Sequence, residues 1–232
     1  MSDDRLAELA VNLARVRTRL ALACQAAGRD PKTVSLVAVT KTWPADDVRR
    51  LAALGVRDVG ENRDQEARPK AEACADLGLV WHFVGQLQTN KARSVAGYAD
   101  VVHSVDRARL VAALDRGAAE AGRQVGVLLE VALDGEEGRG GATPAEVPVL
   151  AGLVAGSAAL RLLGVMGVAP LGADPAPAFA RLAAVSAELR ADHPRADWIS
   201  AGMSGDLEAA IAAGATHVRV GTALLGRRAP LG

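Results

Sequence analysis

The chain is poor in the residues that build metal and redox sites. It has two cysteines, Cys24 and Cys74, which lie far apart on predicted helices and form no CxxC pair. We interpret both as buried apolar residues. No HxxxH or HExxH pair occurs among the four histidines, which are His82, His103, His193 and His217. The sequence therefore predicts no metal site.

Long apolar runs and an excess of one charge are absent as well. No stretch approaches the about 20 apolar residues that a membrane helix needs. The first 20 residues read as a charged amphipathic helix rather than a signal peptide. The 27 basic and 27 acidic residues cancel, which argues against a nucleic-acid-binding surface. We expect a cytoplasmic protein whose partner is a small molecule, with neither membrane nor nucleic acid as a partner.

The chain does contain a regular alternation of short β-branched runs and helical stretches. The eight candidate strands are residues 35–40, 58–60, 80–84, 101–104, 125–131, 160–168, 198–201 and 217–220. Helical segments begin near Pro44, Asn62, Thr89, Asp106, Pro144, Asp174 and Asp206. Strand followed by helix, repeated, predicts a parallel sheet. Because no GxGxxG follows the first strand, we favour an α/β fold in which one (β/α)₈ barrel domain spans residues 1–232, over an open doubly wound sheet.

Two segments lie outside this alternation. Residues 3–27 carry leucines and valines at helical spacing, which predicts an extra helix before the first strand. This helix could cover the bottom of the barrel or form a dimer contact, so both a monomer and a weak homodimer remain open. The segment 134–141, DGEEGRGG, follows the fifth strand and lacks the GK[ST] of a P-loop. We interpret it as a flexible loop at the barrel rim.

Lys41 has a position that suits chemistry. The active face of such a barrel is the rim at the C-terminal ends of the strands, and Lys41 follows the first strand in VAVTKTWP. Only four of the 27 basic residues are lysines. A deprotonated amine can add to a carbonyl and a guanidinium cannot, so Schiff-base chemistry would require a lysine here. The alternative is an ordinary lysine that faces solvent or pairs with an acid.

Two other strands carry polar candidates. The second strand ends in DVGEN, and either Glu61 or Asn62 could simply cap the helix that follows. His82 lies in the middle of the third strand, in VWHFVGQLQTNK, with Trp81 and Phe83 on the other face. Such a histidine either packs in the core or neighbours a ligand. The residues alone leave both alternatives open.

The last two strand ends predict a phosphate site. In ISAGMSGDLEAA and VRVGTALLG, a strand is followed by small residues and a helix start, which leaves backbone N–H groups free to bind an anion. Ser204 and Thr222 would add hydroxyl donors, while Gly205 and Gly221 let the backbone approach closely. Barrels commonly bind phosphate at these two loops. Otherwise, SGD only caps a helix and GT only forms a turn.

The order and spacing of these blocks, together with HSVD at 103–106, resemble those of the pyridoxal phosphate homeostasis proteins, which are single-domain relatives of the alanine racemase barrel. The resemblance covers about residues 35–226 and implies that pyridoxal 5′-phosphate (PLP) is held as a Schiff base on Lys41. The implied cofactor neighbours are Ser204, Gly221 and Thr222 at the phosphate, Arg219 at the pyridine nitrogen, Asn62 near the ring, and His82 and Met203 as further candidates. The fifth-strand segment departs from the family pattern, with Arg139 in place of a lysine.

The resemblance implies storage or delivery of PLP more than turnover, and we assign no residue a catalytic role. An arginine beside the pyridine nitrogen tends to keep that nitrogen unprotonated, which makes PLP a poorer electron sink. Related racemases use a tyrosine from an additional domain as second base, whereas the sole tyrosine, Tyr98, is predicted at the opposite end of the barrel from the rim. PLP-dependent apo-enzymes would be transient partners. The alternatives are a PLP-dependent amino-acid racemase or eliminase, and a cofactor-free enzyme that forms a Schiff base with a sugar phosphate.

Overall fold

The computed structural model describes residues 4–133 and 140–226. Eight parallel strands close into a barrel in chain order, and β8 pairs with β1. The strands are β1 (Ser35–Val39), β2 (Asp58–Glu61), β3 (Val80–Phe83), β4 (Val101–Val105), β5 (Val125–Glu130), β6 (Leu160–Met166), β7 (Trp198–Ser200) and β8 (His217–Val220). The helices are α1 (Asp4–Ala26), α2 (Ala45–Ala53), α3 (Asp64–Ala73), α4 (Ala92–Ala96), α5 (Ala108–Glu120), α6 (Val147–Ala155), α7 (Pro175–Asp192), α8 (Leu207–Ala212) and α9 (Thr222–Leu225).

The predicted (β/α)₈ barrel and its additional N-terminal helix are confirmed, and the element boundaries differ by only a few residues. The sixth strand ends at Met166 rather than at residue 168. Helices α4 and α6 begin later than predicted because a three-residue 3₁₀ turn precedes each of them. Asp174 caps α7 as expected, since its carboxylate accepts a hydrogen bond from the backbone N–H of Ala176 at 3.0 Å.

Helix α1 has a different place from the one that the sequence suggested. The segment after β8 forms only the short helix α9, which leaves the outer layer of helices incomplete between α8 and α2. Helix α1 fills this gap, because its buried stripe of Leu9, Leu13, Val16 and Leu20 packs against residues of α2, α8 and α9. The suggestion that it covers the barrel bottom is therefore wrong. The dimer contact stays a prediction.

The two surfaces of the barrel differ in polarity. Outside the sheet, apolar strand residues such as Val102, Val127 and Val165 pack against the surrounding helices, which is the usual core of this fold. Inside, His82 and His103 of β3 and β4 approach Ser200 and Arg219 of β7 and β8. The interior is therefore hydrogen-bonded rather than purely apolar.

Two smaller expectations concern the cysteines and membranes. Cys24 and Cys74 are buried free thiols, as predicted, and burial raises the pKa of both. Within residues 4–133 and 140–226, no helix combines the length and the apolar character that crossing a bilayer would require.

Candidate functional site

A cavity of about 690 Å³ opens at the C-terminal rim of the barrel, beside the ends of β1, β2, β7 and β8. It brings together all but one of the predicted site residues, namely Lys41, Asn62, Met203, Ser204, Arg219, Gly221 and Thr222. These residues come from four strand ends that the barrel closure makes neighbours. The size suits a small organic ligand, since such sites commonly measure about 300–1,000 Å³.

The exposed Lys41 lies directly after β1 and faces this cavity. Its amine makes no hydrogen bond or ion pair with any residue that the structure describes. The next residue, Thr42, has a φ of 67°, a conformation that costs a non-glycine residue roughly 1–3 kcal/mol. The backbone N–H of Thr42 donates to Glu66 Oε2 at 3.1 Å, which helps to hold this turn. The turn that presents the Lys41 amine to the cavity is thus both strained and anchored.

A buried polar cluster of Thr40, Glu61 and Lys70 supports the backbone below Lys41. Lys70 Nζ donates to Glu61 Oε1 at 2.7 Å and to the carbonyl oxygen of Thr40 at 2.8 Å. The hydroxyl of Thr40 donates to the same Glu61 oxygen at 2.6 Å. Burial raises the pKa of Glu61, and the hydrogen bonds from Lys70 and Thr40 oppose that shift. Glu61 thus ties β1 to β2 and α3, and the suggestion that it caps α3 is wrong.

Asn62 supplies its side-chain amide to the cavity. Its Oδ1 atom is buried and accepts no hydrogen bond within the described part of the chain. Gly85, after β3, also lines the cavity and packs closely on Asn62: a Cβ at Gly85 would lie 2.3 Å from the carbonyl oxygen of Asn62. Gly85 was missed at the sequence level, although a glycine directly after a strand can signal a close backbone approach.

The loops after β7 and β8, where the sequence predicts an anion site, both line this cavity. Among residues 4–133 and 140–226, the backbone N–H groups of Ser204, Gly205 and Gly221 have no acceptor. Ser204 joins the two loops, since its Oγ accepts from the backbone N–H of Ala223 at 3.3 Å. Unpaired N–H groups converging from two loops are the usual means of holding a phosphate in proteins.

Neighbouring side chains hold the first of these loops in place. Arg19 of α1 donates to the carbonyl oxygen of Ser204 at 2.6 Å and pairs with Glu208 on α8. Asp206 Oδ1 accepts from the backbone N–H of Met203 at 2.6 Å, and Met203 is 36% exposed at the cavity. Helix α1 therefore contributes to the shape of the site as well as to the fold.

Arg219 closes the inner end of the cavity from β8. Its Nη1 donates to the carbonyl oxygen and to the hydroxyl of Ser200, at 2.8 and 2.6 Å, and its Nη2 donates to the carbonyl oxygen of Gly167 at 3.1 Å. Burial lowers the pKa of Arg219 to about 10, while the negative charges of Glu130 and Asp206 oppose the shift. The guanidinium therefore remains a cation at neutral pH.

His82 is the predicted site residue that the structure does not bring to the cavity. It lies buried inside the barrel, where its Nδ1 is 2.8 Å from His103 Nε2 and its Nε2 is 3.0 Å from Asp58 Oδ1. The alternation of side chains along β3 does point it away from Trp81 and Phe83, as expected, but toward the interior below the rim.

Glu130, at the end of β5, is a second residue that the sequence reasoning missed. Burial and the nearby charge of Asp106 raise its pKa to about 7, against the opposing effect of Arg219. The only sequence signal was an acidic residue ending an apolar strand. Arg139 and residues 134–139, where the family pattern is weakest, lie outside the described residues.

The family model for the alanine racemase N-terminal domain matches residues 11–229. Pyridoxal phosphate homeostasis proteins match nearly the whole chain: that of Mycobacterium tuberculosis is 47% identical, over 97% of this chain and 95% of its own length. That of Pseudomonas aeruginosa is 45% identical, over 96% and 97%. The chain belongs to the pyridoxal phosphate homeostasis protein family.

Solved structures extend this assignment. PipY of Synechococcus elongatus, a structure with PLP bound, superposes with a TM-score of 0.81 at 38% identity, and the match covers 94% of this chain and all of PipY. The alanine racemase of Streptomyces coelicolor superposes with a TM-score of 0.76 at 21% identity, over 96% of this chain and 59% of the racemase. The second likeness concerns the fold alone.

Proposed function

We propose that this protein binds PLP as a Schiff base on Lys41, and stores or delivers it, thereby contributing to vitamin B6 homeostasis. One observation carries the proposal: the unpaired amine of Lys41 shares a cavity with the unpaired N–H groups of two loops. PLP is an aldehyde that carries a phosphate, and these two sets of groups are complementary to those two functions. The names of the family relatives and the PLP bound to PipY support the same assignment.

The remaining cavity residues are complementary to the rest of the PLP molecule. The orphaned amide oxygen of Asn62 would gain a partner from a polar group on the ring, while Arg219 would lie beside the pyridine nitrogen. Ser204 and Thr222 would add hydroxyl donors at the phosphate. Each group would thus satisfy a buried or unpaired polar atom of the protein, which is what a ligand site requires.

The bond to Lys41 would hold the cofactor. When bound, PLP supplies an aldehyde carbon that the Lys41 amine attacks, and a C=N bond replaces C=O as one water leaves. Because the Arg219 guanidinium keeps its proton, the nitrogen that it faces would stay unprotonated and withdraw electrons weakly. These residues favour retention of PLP over the carbanion chemistry of PLP enzymes.

A second base, as racemisation requires, is not found at this cavity within the described residues. The sole tyrosine, Tyr98, follows α4 at the opposite end of the barrel and packs between the sheet and the helices. Burial raises the pKa of its phenol, and the charges of Asp64 and Glu61 raise it further. A buried phenol in that layer would not exchange protons with a ligand at Lys41.

Delivery would require transient contact with PLP-dependent apo-enzymes, which we expect in the cytoplasm. The exposed Lys41 and the open cavity suit such an exchange, because a thiol or amine could reach the Schiff base from solvent. Transfer is measured by mixing the PLP-loaded protein with an apo-enzyme and following recovery of its activity against free PLP at equal concentration. Recovery faster than with free PLP supports direct delivery; equal rates would leave storage as the function.

Binding itself is tested by spectroscopy. Purified wild-type protein that is mixed with PLP and then freed of unbound PLP should keep a visible absorption band that Lys41→Ala lacks. Lys32→Ala is the matched control, since Lys32 is an exposed lysine on the 3₁₀ turn before β1. A wild type that is colourless after removal of unbound PLP would refute the proposal.

Borohydride reduction followed by mass spectrometry separates the alternatives. A pyridoxyl phosphate adduct on Lys41 is expected for PLP binding, and an adduct from a sugar phosphate would indicate an aldolase-like enzyme. A panel of amino acids then tests for a racemase or eliminase. Turnover by the wild type that is lost in Lys41→Ala would favour an enzyme over a carrier.

A further inference from the structure

A continuous hydrogen-bonded chain crosses the interior of the barrel and ends at the cavity. Arg219 Nη1 donates to Ser200 Oγ at 2.6 Å, and Ser200 Oγ lies 3.0 Å from His103 Nδ1. His103 Nε2 lies 2.8 Å from His82 Nδ1. His82 Nε2 lies 3.0 Å from Asp58 Oδ1. We call these five residues the histidine chain.

The histidine chain connects two environments. Arg219 lines the cavity at the C-terminal rim. Asp58 is the first residue of β2, at the opposite end, and its side chain is 28% exposed. His82, His103 and Ser200 between them are buried. A cation at the site is thus linked through three buried polar side chains to a carboxylate near the other face of the barrel.

The hydrogen-bonding partners determine which atom donates and which accepts in every bond of the histidine chain. The Ser200 hydroxyl already accepts from Arg219, and its own proton has one acceptor in the described part of the chain, His103 Nδ1. His103 then carries its proton on Nε2 and donates to His82 Nδ1, and His82 in turn donates from Nε2 to Asp58. Each polar hydrogen finds an acceptor in this arrangement, as buried groups require.

Electrostatics favour the same direction. Every group presents a lone pair toward the Arg219 cation and a proton toward the Asp58 carboxylate, so the bond dipoles are aligned with the charges at both ends. The reverse direction would point the Nδ1–H of His103 at a hydroxyl that already accepts from Arg219. It would also leave the Ser200 proton without a partner in residues 4–133 and 140–226.

We propose that Asp58, His82, His103 and Ser200 are positioning residues that hold the Arg219 guanidinium in one orientation at the cavity. A guanidinium has five N–H donors, and the bonds to Ser200 and Gly167 occupy three of them. The other two have no partner among the described residues and remain available at the cavity. The inference that these two donors face a PLP ring rests on the proposed function. The donor-to-acceptor direction of the histidine chain does not depend on it.

Nuclear magnetic resonance of ¹⁵N-labelled imidazoles reads the direction of the chain in the protein without cofactor. In the wild type, Nε2 should carry the proton and Nδ1 should be the acceptor in both His82 and His103. The double variant Asp58→Ala with Ser200→Ala removes the partners at both ends and should leave His103 in a mixture of the two tautomers, while Asp58→Asn alone should keep the wild-type signal, with its amide oxygen as the acceptor. A wild-type His103 protonated on Nδ1, or an unchanged His103 signal in the double variant, would overturn the proposal.

The affinity for PLP tests whether the position of Arg219 matters for binding at the cavity. Ser200→Ala removes one bond to Arg219 and should weaken PLP binding by about 5- to 30-fold. Ser186→Ala is the matched control, because Ser186 is a buried serine on α7. Equal affinities in Ser200→Ala and the control would refute the positioning of Arg219. If wild type binds no PLP and the imidazole signals are as expected, the proposed function fails while the assigned orientation of the chain stands.

Discussion

The polar groups at the rim of the barrel and those in its interior differ in their hydrogen bonding. At the rim, the Lys41 amine, the Asn62 amide oxygen and the N–H groups of two loops have no partner within the described residues. Inside the barrel below it, both ring nitrogens of His82 and of His103 are hydrogen-bonded, and the Ser200 hydroxyl joins His103 to Arg219. Buried polar groups that lack partners destabilise a fold, so the unpaired set indicates where a ligand completes the structure.

The cluster of Thr40, Glu61 and Lys70 lies between the sheet and α3, next to the Lys41 turn, and it should give the largest effect on stability. Lys70→Met would leave the buried Glu61 carboxylate without its cation, which costs about 3–5 kcal/mol in comparable buried pairs. Denaturant unfolding measures the loss. Lys32→Met, at an exposed lysine, should change stability by less than about 0.5 kcal/mol.

The double variant Lys70→Met with Glu61→Gln separates the charge from the packing. It should recover much of the loss, since no uncompensated carboxylate remains. A single variant as stable as the wild type would mean that the pair contributes nothing to stability.

The pH dependence of stability tests the interior of the barrel. Burial, with a further effect of His82, lowers the pKa of His217 to about 4, against an opposing effect of Asp58. The unfolded chain binds a proton on this ring near pH 6.5 and the folded protein only near pH 4, so the free energy of unfolding falls as the pH falls through that window. The loss from His217 should reach about 3 kcal/mol at pH 4.

A His217 variant separates the contribution of this residue to stability from those of other titrating groups. Glu130, whose pKa is raised to about 7, contributes with the opposite sign, because the folded protein takes up its proton first as the pH falls. The comparison is therefore between wild type and His217→Gln, in thermal or denaturant unfolding at pH 7 and pH 4. Parallel pH dependences in the two proteins would show that His217 does not resist protonation.

The difference between the regions also explains what the sequence could predict. Lys41 and the two C-terminal loops are local patterns at strand ends, so alternation of strands and helices was enough to bring them together at one rim. The bond between His103 and Ser200 joins residues 97 positions apart, and it depends on β4 facing β7 across a closed barrel. No local pattern encodes that distance.

Two errors have the same origin. Glu61 precedes a helix and so resembled a cap, but its partner Lys70 lies nine residues further on, on the inner face of α3. Helix α1 was predicted correctly as a helix, whereas its place depends on the shortness of α9, about 200 residues later. Sequence periodicity gives an element and its apolar face, and only the closed fold gives the surface that this face covers.

Arg19 lies on the outer helix α1, and its substitution should have a smaller effect on stability and on the loop at the rim. Arg19→Ala removes a partly exposed ion pair with Glu208, which contributes at most about 1 kcal/mol to stability. It also frees the carbonyl of Ser204, so PLP should bind several-fold more weakly, about as expected for one lost hydrogen bond. Arg15→Ala, at an exposed arginine on the same helix, is the control for affinity titrations. Equal affinity in both variants would mean that α1 does not hold the loop.

The smallest expected effect on stability is at Lys41 itself. Its amine has no partner in the described part of the chain, so Lys41→Ala should change the free energy of unfolding of the cofactor-free protein by less than about 0.5 kcal/mol. In the presence of PLP, only the wild type should gain stability through the covalent bond. A cofactor-free Lys41→Ala protein that is clearly less stable would show that the lysine supports the fold. An unchanged one would leave the bond to the cofactor as the interaction that Lys41 provides.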